Sequence, residues 1–187
     1  MKNELNRDYC YGILAEYTKT PGLLRHAVSV ETCLRAYAQK FNENENYWGN
    51  AGLLHDFDYE MYPEEGGHPF KGAIILAEKG FEQEFIDTIL SHVPYEGVPP
   101  RTTLLRKVLF ACDELSGFIT AVKYVKPGKS FEEVDASSVL KKMKDKAFAR
   151  AVSREDIKAG AELLGLSLDE HITFCKNALK NNPELRG

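Results

Sequence analysis

The chain has 187 residues, of which 43% are hydrophobic and 28% charged, and its formal net charge is -4. This length is enough for one domain with a substantial core, and the composition is ordinary for a globular protein. The acidic balance argues against a protein that coats nucleic acid, which would usually be basic. No apolar run approaches the roughly 18 residues of a membrane span. We therefore expect one domain over residues 1–187, with neither a nucleic-acid polymer nor a membrane as a partner.

The first residues and the cysteines indicate a cellular compartment. The opening stretch MKNELNRDYC is polar and charged, unlike a secretory signal. The cysteines are widely separated and form no CxxC pair; they are Cys10, Cys33, Cys112 and Cys175. This usage favours buried thiols in a reducing compartment over a disulfide framework or a cysteine–zinc site. The sequence thus predicts a cytoplasmic protein.

Apolar residues recur at helical spacing almost throughout, and no alternating pattern is long enough for a sheet. A first helix is predicted in LNRDYCYGILAEYT, ending before Pro21. Thr20 and Pro21 then predict the start of a second helix, as its N-cap and first residue. The apolar face of this second helix consists of Leu23, Ala27, Val30, Leu34 and Tyr37.

The rest of the chain continues the helical pattern. Helices are predicted in residues 47–57, 68–79, 82–92 and 102–120, and then near 137–148, 153–164 and 168–180. GVPPR at 97–101 and KPGKS at 126–130 break the pattern. Ser153 with Asp156, and Ser167 with Glu170, resemble capping boxes at the last two starts. Together these elements predict a compact, all-α bundle of roughly eight helices.

Imidazole and carboxylate side chains occupy inward-facing positions or ends of five predicted helices. In GLLHDFDYE, residues 52–60, an apolar run ends abruptly in a His-Asp doublet. The full set is His26, His55, Asp56, His68, His92 and Asp113. One histidine on an apolar face is usually a satisfied core residue, but that explanation is harder to accept for four of five histidines together with two aspartates. Because buried groups of this kind need partners, a shared metal would serve all six.

The order of these six residues resembles the HD-domain superfamily of metal-dependent phosphohydrolases. The family order is a first His, the His-Asp doublet, two further His and a final Asp. The context also matches, with LLHDFDYE at the doublet, HPFKGA at His68, ILSH at His92 and ACDELSGF at Asp113. The resemblance covers about residues 20–125 and implies a helical core there, with a helical C-terminal part at about 130–187. The stretch SVLKKMKDKAFARAVSREDI resembles the tail of one branch of predicted HD hydrolases.

The resemblance also implies the roles of the six residues. His26, His55, Asp56 and Asp113 would hold one divalent ion, and Asp56 would bridge to a second ion held also by His68 and His92. Such donors suit Mn, Fe, Co, Ni, Zn or Mg and do not choose among them. One or two ions would hold a hydroxide that attacks phosphorus, with Asp56 as the catalytic residue that anchors it.

Neighbouring polar residues are open to two interpretations. Asp58 and Glu60 either orient the ligands or are solvated acids at a helix end, and the same alternatives apply to Glu114.

A phosphate substrate also needs cations, and the candidates are Arg150, Arg154 and Lys123. Arginine can bind phosphate through two hydrogen bonds, although a solvated helix face is the simpler explanation for most of this basic run. We find no glycine-rich phosphate loop.

We therefore expect a metal-dependent phosphohydrolase that acts on a small phosphomonoester or nucleotide through a metal-bound hydroxide. The acidic residues after the doublet and the lack of a glycine-rich signature disfavour cyclic dinucleotide hydrolysis. Two alternatives stay open, a di-iron oxygenase on the same scaffold and a non-catalytic, metal-binding regulatory module. The complete ligand set argues against the second, and the sequence does not set the oligomeric state.

Overall fold

The computed structural model describes residues 6–64 and 66–186, and within these stretches it contains nine α-helices and no strand. The helices are α1 (Arg7–Tyr17), α2 (Pro21–Phe41), α3 (Glu45–Leu54), α4 (Phe70–Glu78), α5 (Gln83–Leu90), α6 (Leu104–Tyr124), α7 (Ala136–Met143), α8 (Arg154–Leu163) and α9 (Leu168–Asn181). Two 3-10 turns lie at Phe131–Glu133 and Pro183–Leu185. The all-α prediction is confirmed, with one helix more than the expected eight.

The helix starts follow the local sequence. Thr20 is the N-cap of α2 and Pro21 its first residue, as predicted. The Thr20 side chain does not cap the helix, because its hydroxyl donates to Glu60 Oε1 at 2.9 Å instead. Ser167 and Glu170 form the predicted capping box at the start of α9.

Each of the nine described helices contributes side chains to one continuous apolar core. The two longest, α2 and α6, have 21 residues each and pack against one another. The helix α3 packs on α2, while α8 and α9 pack on α6. None of the described helices combines the length and apolar character needed to cross a bilayer.

Two glycines allow helices to approach backbone to backbone. A Cβ at Gly52 in α3 would lie 2.9 Å from the amide nitrogen of Glu31 in α2. A Cβ at Gly160 in α8 would lie 2.6 Å from the Cα of Ala111 in α6. Larger residues at either position would push the helices apart, since interiors are close-packed. This tight packing fixes the C-terminal end of α3, which precedes His55 and Asp56, and the middle of α6, which carries Asp113.

Candidate metal centre

The first group of predicted donors comes from α2, from α6 and from the turn that follows α3. His26 in α2 faces Asp113 in α6, with 3.0 Å between His26 Nε2 and Asp113 Oδ1. His55 directly follows the last residue of α3, and its Nε2 lies 3.2 Å from His26 Nε2 and 3.3 Å from Asp113 Oδ1. Asp56 Oδ2 lies 3.4 Å from His55 Nε2. The structure thus brings these four predicted donors together.

The second group shares Asp56 with the first. His68 lies two residues before the first residue of α4, and His92 two residues after the last residue of α5. Their Nε2 atoms are 3.2 Å apart, and each lies 3.2 Å from Asp56 Oδ1. The two carboxylate oxygens of Asp56 therefore face different groups, Oδ2 the first and Oδ1 the second.

We refer to both groups together as the His/Asp centre. Its members are His26, His55, Asp56, His68, His92 and Asp113. Two of its triads, one on each side of Asp56, have ligand atoms close enough to share a metal ion. In both groups the residues that follow or precede a helix are held in turns, which direct their side chains inward.

Backbone carbonyls orient two of the imidazoles. The Nδ1 of His55 donates to the carbonyl oxygen of Gly52 at 2.7 Å. The Nδ1 of His92 donates to the carbonyl oxygen of Ile89 at 2.5 Å. A carbonyl can only accept, so the proton of each neutral ring is on Nδ1 and the lone pair on Nε2. Hydrogen bonds of this kind are typical of histidines that bind a metal through the other nitrogen.

Asp58 orients the third imidazole. This aspartate is fully buried, and its Oδ1 accepts a hydrogen bond from Nδ1 of His68 at 2.7 Å. Its Oδ2 accepts the amide hydrogen of Gly72, also at 2.7 Å. A Cβ at Gly72 would lie 2.7 Å from the Asp58 carboxyl carbon, so only glycine permits this contact. Asp58 is therefore an orienting residue and not a solvated acid.

Glu60 has a different role from Asp58. Its carboxylate accepts hydrogen bonds from the backbone amides of Lys19 and Thr20, at 2.7 Å and 3.0 Å. These residues precede α2, the helix that carries His26. Glu60 thus connects the turn after the doublet to the start of α2.

The geometry of the His/Asp centre suits a divalent cation. The lone pairs on Nε2 of His55, His68 and His92 point at each other or at carboxylate oxygens, an arrangement that is repulsive without positive charge between them. Neighbouring donors 3.0–3.4 Å apart are also consistent with shared ligation at roughly 2.0–2.2 Å.

The pKa values of these groups also show that positive charge is favoured at the His/Asp centre. Burial opposes protonation of His55, but the Asp56 and Asp113 carboxylates outweigh it and hold its pKa well above the usual value. The same balance, with Asp56 and Asp58 as partners, raises the pKa of His68 to about 9. Burial would raise the pKa of Asp56, yet His55 and the other imidazoles keep it well below its usual range. Without metal, protons thus supply the positive charge.

A cavity of about 360 Å³ opens onto the His/Asp centre. The aromatic rings of Tyr59, Tyr95 and Phe110 contribute to its lining. Two acids, Glu114 and Asp156, line it as well. Burial and the neighbouring Asp113 raise the pKa of Glu114 to about 7, against a hydrogen bond from the Ser153 amide that lowers it. Glu114 is therefore a cavity residue and not a solvated acid.

The three cations predicted to bind substrate lie elsewhere. The Arg154 guanidinium donates to the backbone carbonyls of Ala149 and Val152, both at 2.6 Å, and to that of Phe148. Lys123 is buried and donates to the carbonyl of Leu185, while Arg150 is exposed. In the described part of the chain, none of these three cations is among the residues that line the cavity.

Sequence reasoning did not find the aromatic residues that line the cavity. Tyr95 belongs to the break after α5, and Phe110 lies on α6 one turn before Asp113 and Glu114. Neither position carries a spacing that separates a cavity residue from a core or surface residue. By contrast, the HDFD stretch gave a usable signal for Asp58, because a carboxylate beside predicted ligands often supports them.

Comparisons with known proteins give the family. The model of the HD domain matches residues 23–117, just over half of the chain. Comparisons with curated proteins and with solved structures found no match. The matched stretch contains all six members of the His/Asp centre, and members of this family are generally metal-dependent phosphohydrolases. The chain belongs to the HD domain family.

Proposed function

We propose that this protein is a metal-dependent phosphohydrolase that acts on a small phosphomonoester or nucleotide. The observation that carries the proposal is the position of Asp56. Its two oxygens face separate groups of imidazoles at the base of a cavity, which is the arrangement expected of a carboxylate between two metal sites.

Each member of the His/Asp centre has a defined task in this proposal. His26, His55, Asp56 and Asp113 would hold the first ion, and Asp56, His68 and His92 would hold the second. Divalent ions bound there would supply Lewis acidity for the activation of water and for the stabilisation of negative charge on phosphoryl oxygens.

The surrounding residues keep the imidazoles in place for this task. Asp58 holds the His68 ring in one orientation, and the carbonyl of Gly52 does the same for His55. Because the rotamers are fixed before substrate arrives, little reorganisation is needed during the reaction.

The cavity supports a small substrate. Its volume of about 360 Å³ is at the lower end of the range for small-molecule sites. The rings of Tyr59, Tyr95 and Phe110 offer apolar surface to the leaving group of the substrate. The negative charge of the phosphate is balanced mainly at the His/Asp centre. A substrate contact by the exposed Arg150 stays a prediction, and an Arg150→Ala variant with a raised KM would support it.

Elemental analysis of the purified protein followed by a phosphatase screen tests the proposal. Phosphate release from small phosphomonoesters and nucleotides is measured after addition of Mn²⁺, Co²⁺, Ni²⁺ or Mg²⁺. The Asp56→Asn variant, purified in the same way, controls for contaminating phosphatases. We expect release by the wild type only. Absence of release with every metal, or turnover that requires iron and O₂, would overturn the hydrolase proposal.

A further inference from the structure

A second cluster of metal-binding side chains lies in the core outside the His/Asp centre. It consists of Cys33 in α2, Cys112 in α6, and His171 and Cys175 in α9, and we refer to it as the thiol cluster. All four side chains are fully buried. The donor atoms of Cys112, His171 and Cys175 lie within 4.8 Å of one another. Cys33 lies in the same core, and interactions with Cys112 and Cys175 lower the pKa of its thiol.

The imidazole of this cluster has the orientation of a metal ligand. His171 Nε2 donates to the carbonyl oxygen of Ala111 at 2.9 Å, so the lone pair of the neutral ring is on Nδ1. Nδ1 lies 3.7 Å from the sulfur of Cys175 and 2.6 Å from the hydroxyl of Tyr37. His55 and His92 in the His/Asp centre are held in the same way, by a carbonyl on the nitrogen that faces away from the cluster.

The spacing of these donors suits a tetrahedral ion. A nitrogen and a sulfur that bind the same zinc ion are roughly 3.6 Å apart, close to the 3.7 Å between His171 Nδ1 and Cys175 Sγ. His171 and Cys175 are four residues apart on α9, so both point to the same side of the helix. With Cys112 they form a group of two sulfurs and one nitrogen within 4.8 Å of one another. Cys33 would add a third sulfur and complete a ligand set that is common in closed structural zinc sites.

We propose that Cys33, Cys112, His171 and Cys175 bind one thiophilic divalent ion, Zn²⁺, as a structural site. Each thiol that binds the ion releases its proton to solvent as the site forms. Burial lowers the pKa of His171, so its ring is neutral and ready to bind a cation. In the metal-free protein the Tyr37 hydroxyl donates to Nδ1 of His171 at 2.6 Å, and an ion bound at Nδ1 would displace this hydrogen bond.

The site would join two parts of the molecule. Residues of α9 lie outside the stretch that matches the HD domain, whereas Cys33 and Cys112 lie inside it. Cys112 directly precedes Asp113, and the Ala111 carbonyl that holds His171 belongs to the same turn of α6. An ion here would therefore fix α9 against the segment of α6 that presents Asp113.

Cobalt substitution distinguishes this site from the His/Asp centre. The full chain is produced in minimal medium with Co²⁺ as the supplied transition metal, so that the ion is present while the protein folds. Thiolate ligands give Co²⁺ an intense charge-transfer absorption in the near ultraviolet, whereas nitrogen and oxygen ligands do not. Because the His/Asp centre contains no sulfur, this band reports the thiol cluster alone, whether or not the protein is a hydrolase.

Two variants complete the experiment. Cys10 is equally buried and lies beside Glu31 and Arg35, so Cys10→Ser is the matched control for Cys175→Ser. We expect the band in the wild type and in Cys10→Ser, its loss in Cys175→Ser, and about one zinc ion fewer per chain in Cys175→Ser purified from zinc-containing medium. A well-folded wild type that contains cobalt but shows no thiolate band would overturn the proposal, even if Cys175→Ser fails to fold.

Discussion

The His/Asp centre and the thiol cluster differ in exposure and in the chemistry of their donors. In the His/Asp centre the Asp56 side chain is 24% exposed and faces the cavity, whereas all four members of the thiol cluster have no exposed surface. The first offers imidazole and carboxylate, the second thiol and imidazole. Yet in both, backbone carbonyls hold imidazole rings so that a lone pair faces the other donors.

This difference indicates what each cluster can do. An ion that acts on a substrate must be reached by that substrate, and only the His/Asp centre meets a cavity. A sealed set of soft donors is suited to holding an ion permanently, because sulfur ligands favour zinc and exclude water from its coordination.

The largest effect is expected at Asp56, the residue shared by both halves of the His/Asp centre. Asp56→Asn should lower phosphate release by at least about 1,000-fold, because a neutral amide compensates two dications poorly. The side chain keeps its size, so the fold should persist. Added Mn²⁺ should raise the melting temperature of the wild type and not that of the variant.

Melting curves with chelator provide the contrast for Asp56. Without metal, Asp56→Asn should melt at a lower temperature than the wild type near neutral pH, because protonated His55 and His68 lose their ion pairs with this carboxylate, and the difference should shrink as the pH rises through about 9. Marked destabilisation of the metal-free variant that persists above this pH, together with an unchanged metal content, would identify Asp56 as purely structural. Full activity and metal binding in Asp56→Asn would contradict the proposed function at its centre.

His68→Ala should remove one half of the His/Asp centre and leave the other. His68 Nε2 faces Asp56 Oδ1 and His92, and His68 does not contact the group formed by His26, His55 and Asp113. Metal analysis should show about one ion per chain fewer than in the wild type, with an unchanged far-ultraviolet circular dichroism spectrum. An unchanged metal content would assign His68 and His92 to substrate binding or packing instead.

A smaller effect is expected at Asp58, which contacts a predicted ligand and no metal. In Asp58→Asn one oxygen and one amide nitrogen replace two acceptors, so the hydrogen bonds from His68 and Gly72 cannot both persist in their present geometry. Metal affinity should fall about 10- to 100-fold, as for other residues that orient ligands. Glu60→Gln is the control, because Glu60 contacts the start of α2 and not an imidazole. An equal loss of metal affinity in both variants would mean that Asp58 supports the fold and does not orient His68.

The two clusters also differ in how well the sequence revealed them. The all-α fold was predicted from the helical spacing of apolar residues. The members of the His/Asp centre were predicted from the order of six donors along the chain, which resembles that of one family. The ends of the helices were less accurate, since the predicted helix 47–57 ends at Leu54 and the predicted helix 68–79 begins at Phe70. In both cases a predicted ligand lies in a turn next to the helix, His55 after α3 and His68 before α4, and its hydrogen bonds there compete with the helical pattern.

The thiol cluster was not visible in the sequence. Cys33, Cys112 and Cys175 are far apart in the chain and lack the short spacing of known zinc motifs. Only packing of α2, α6 and α9 brings them together. The four cysteines are buried, as predicted, but sequence spacing could not show that Cys112 and Cys175 meet at His171.

The smallest effect concerns pH, and it separates the histidines of the two clusters. In the metal-free protein the pKa of His68 is raised from 6.5 to about 9, so the native state binds more protons than the unfolded state between these values. Its contribution to stability is complete below pH 6.5 and is lost as the pH rises through about 9. The pKa of His171 is lowered instead, so the unfolded state binds more protons than the native state below pH 6.5, and the free energy of unfolding falls as the pH drops.

Melting temperatures of chelator-treated protein should therefore decline from pH 6.5 to 9, and the decline should be shallower in His68→Gln. Saturating Mn²⁺ should flatten it in the wild type, because the ion replaces the proton. An equal slope in wild type and His68→Gln would show that other groups control the pH response, and the contrast between the two clusters would then rest on exposure and donor chemistry alone.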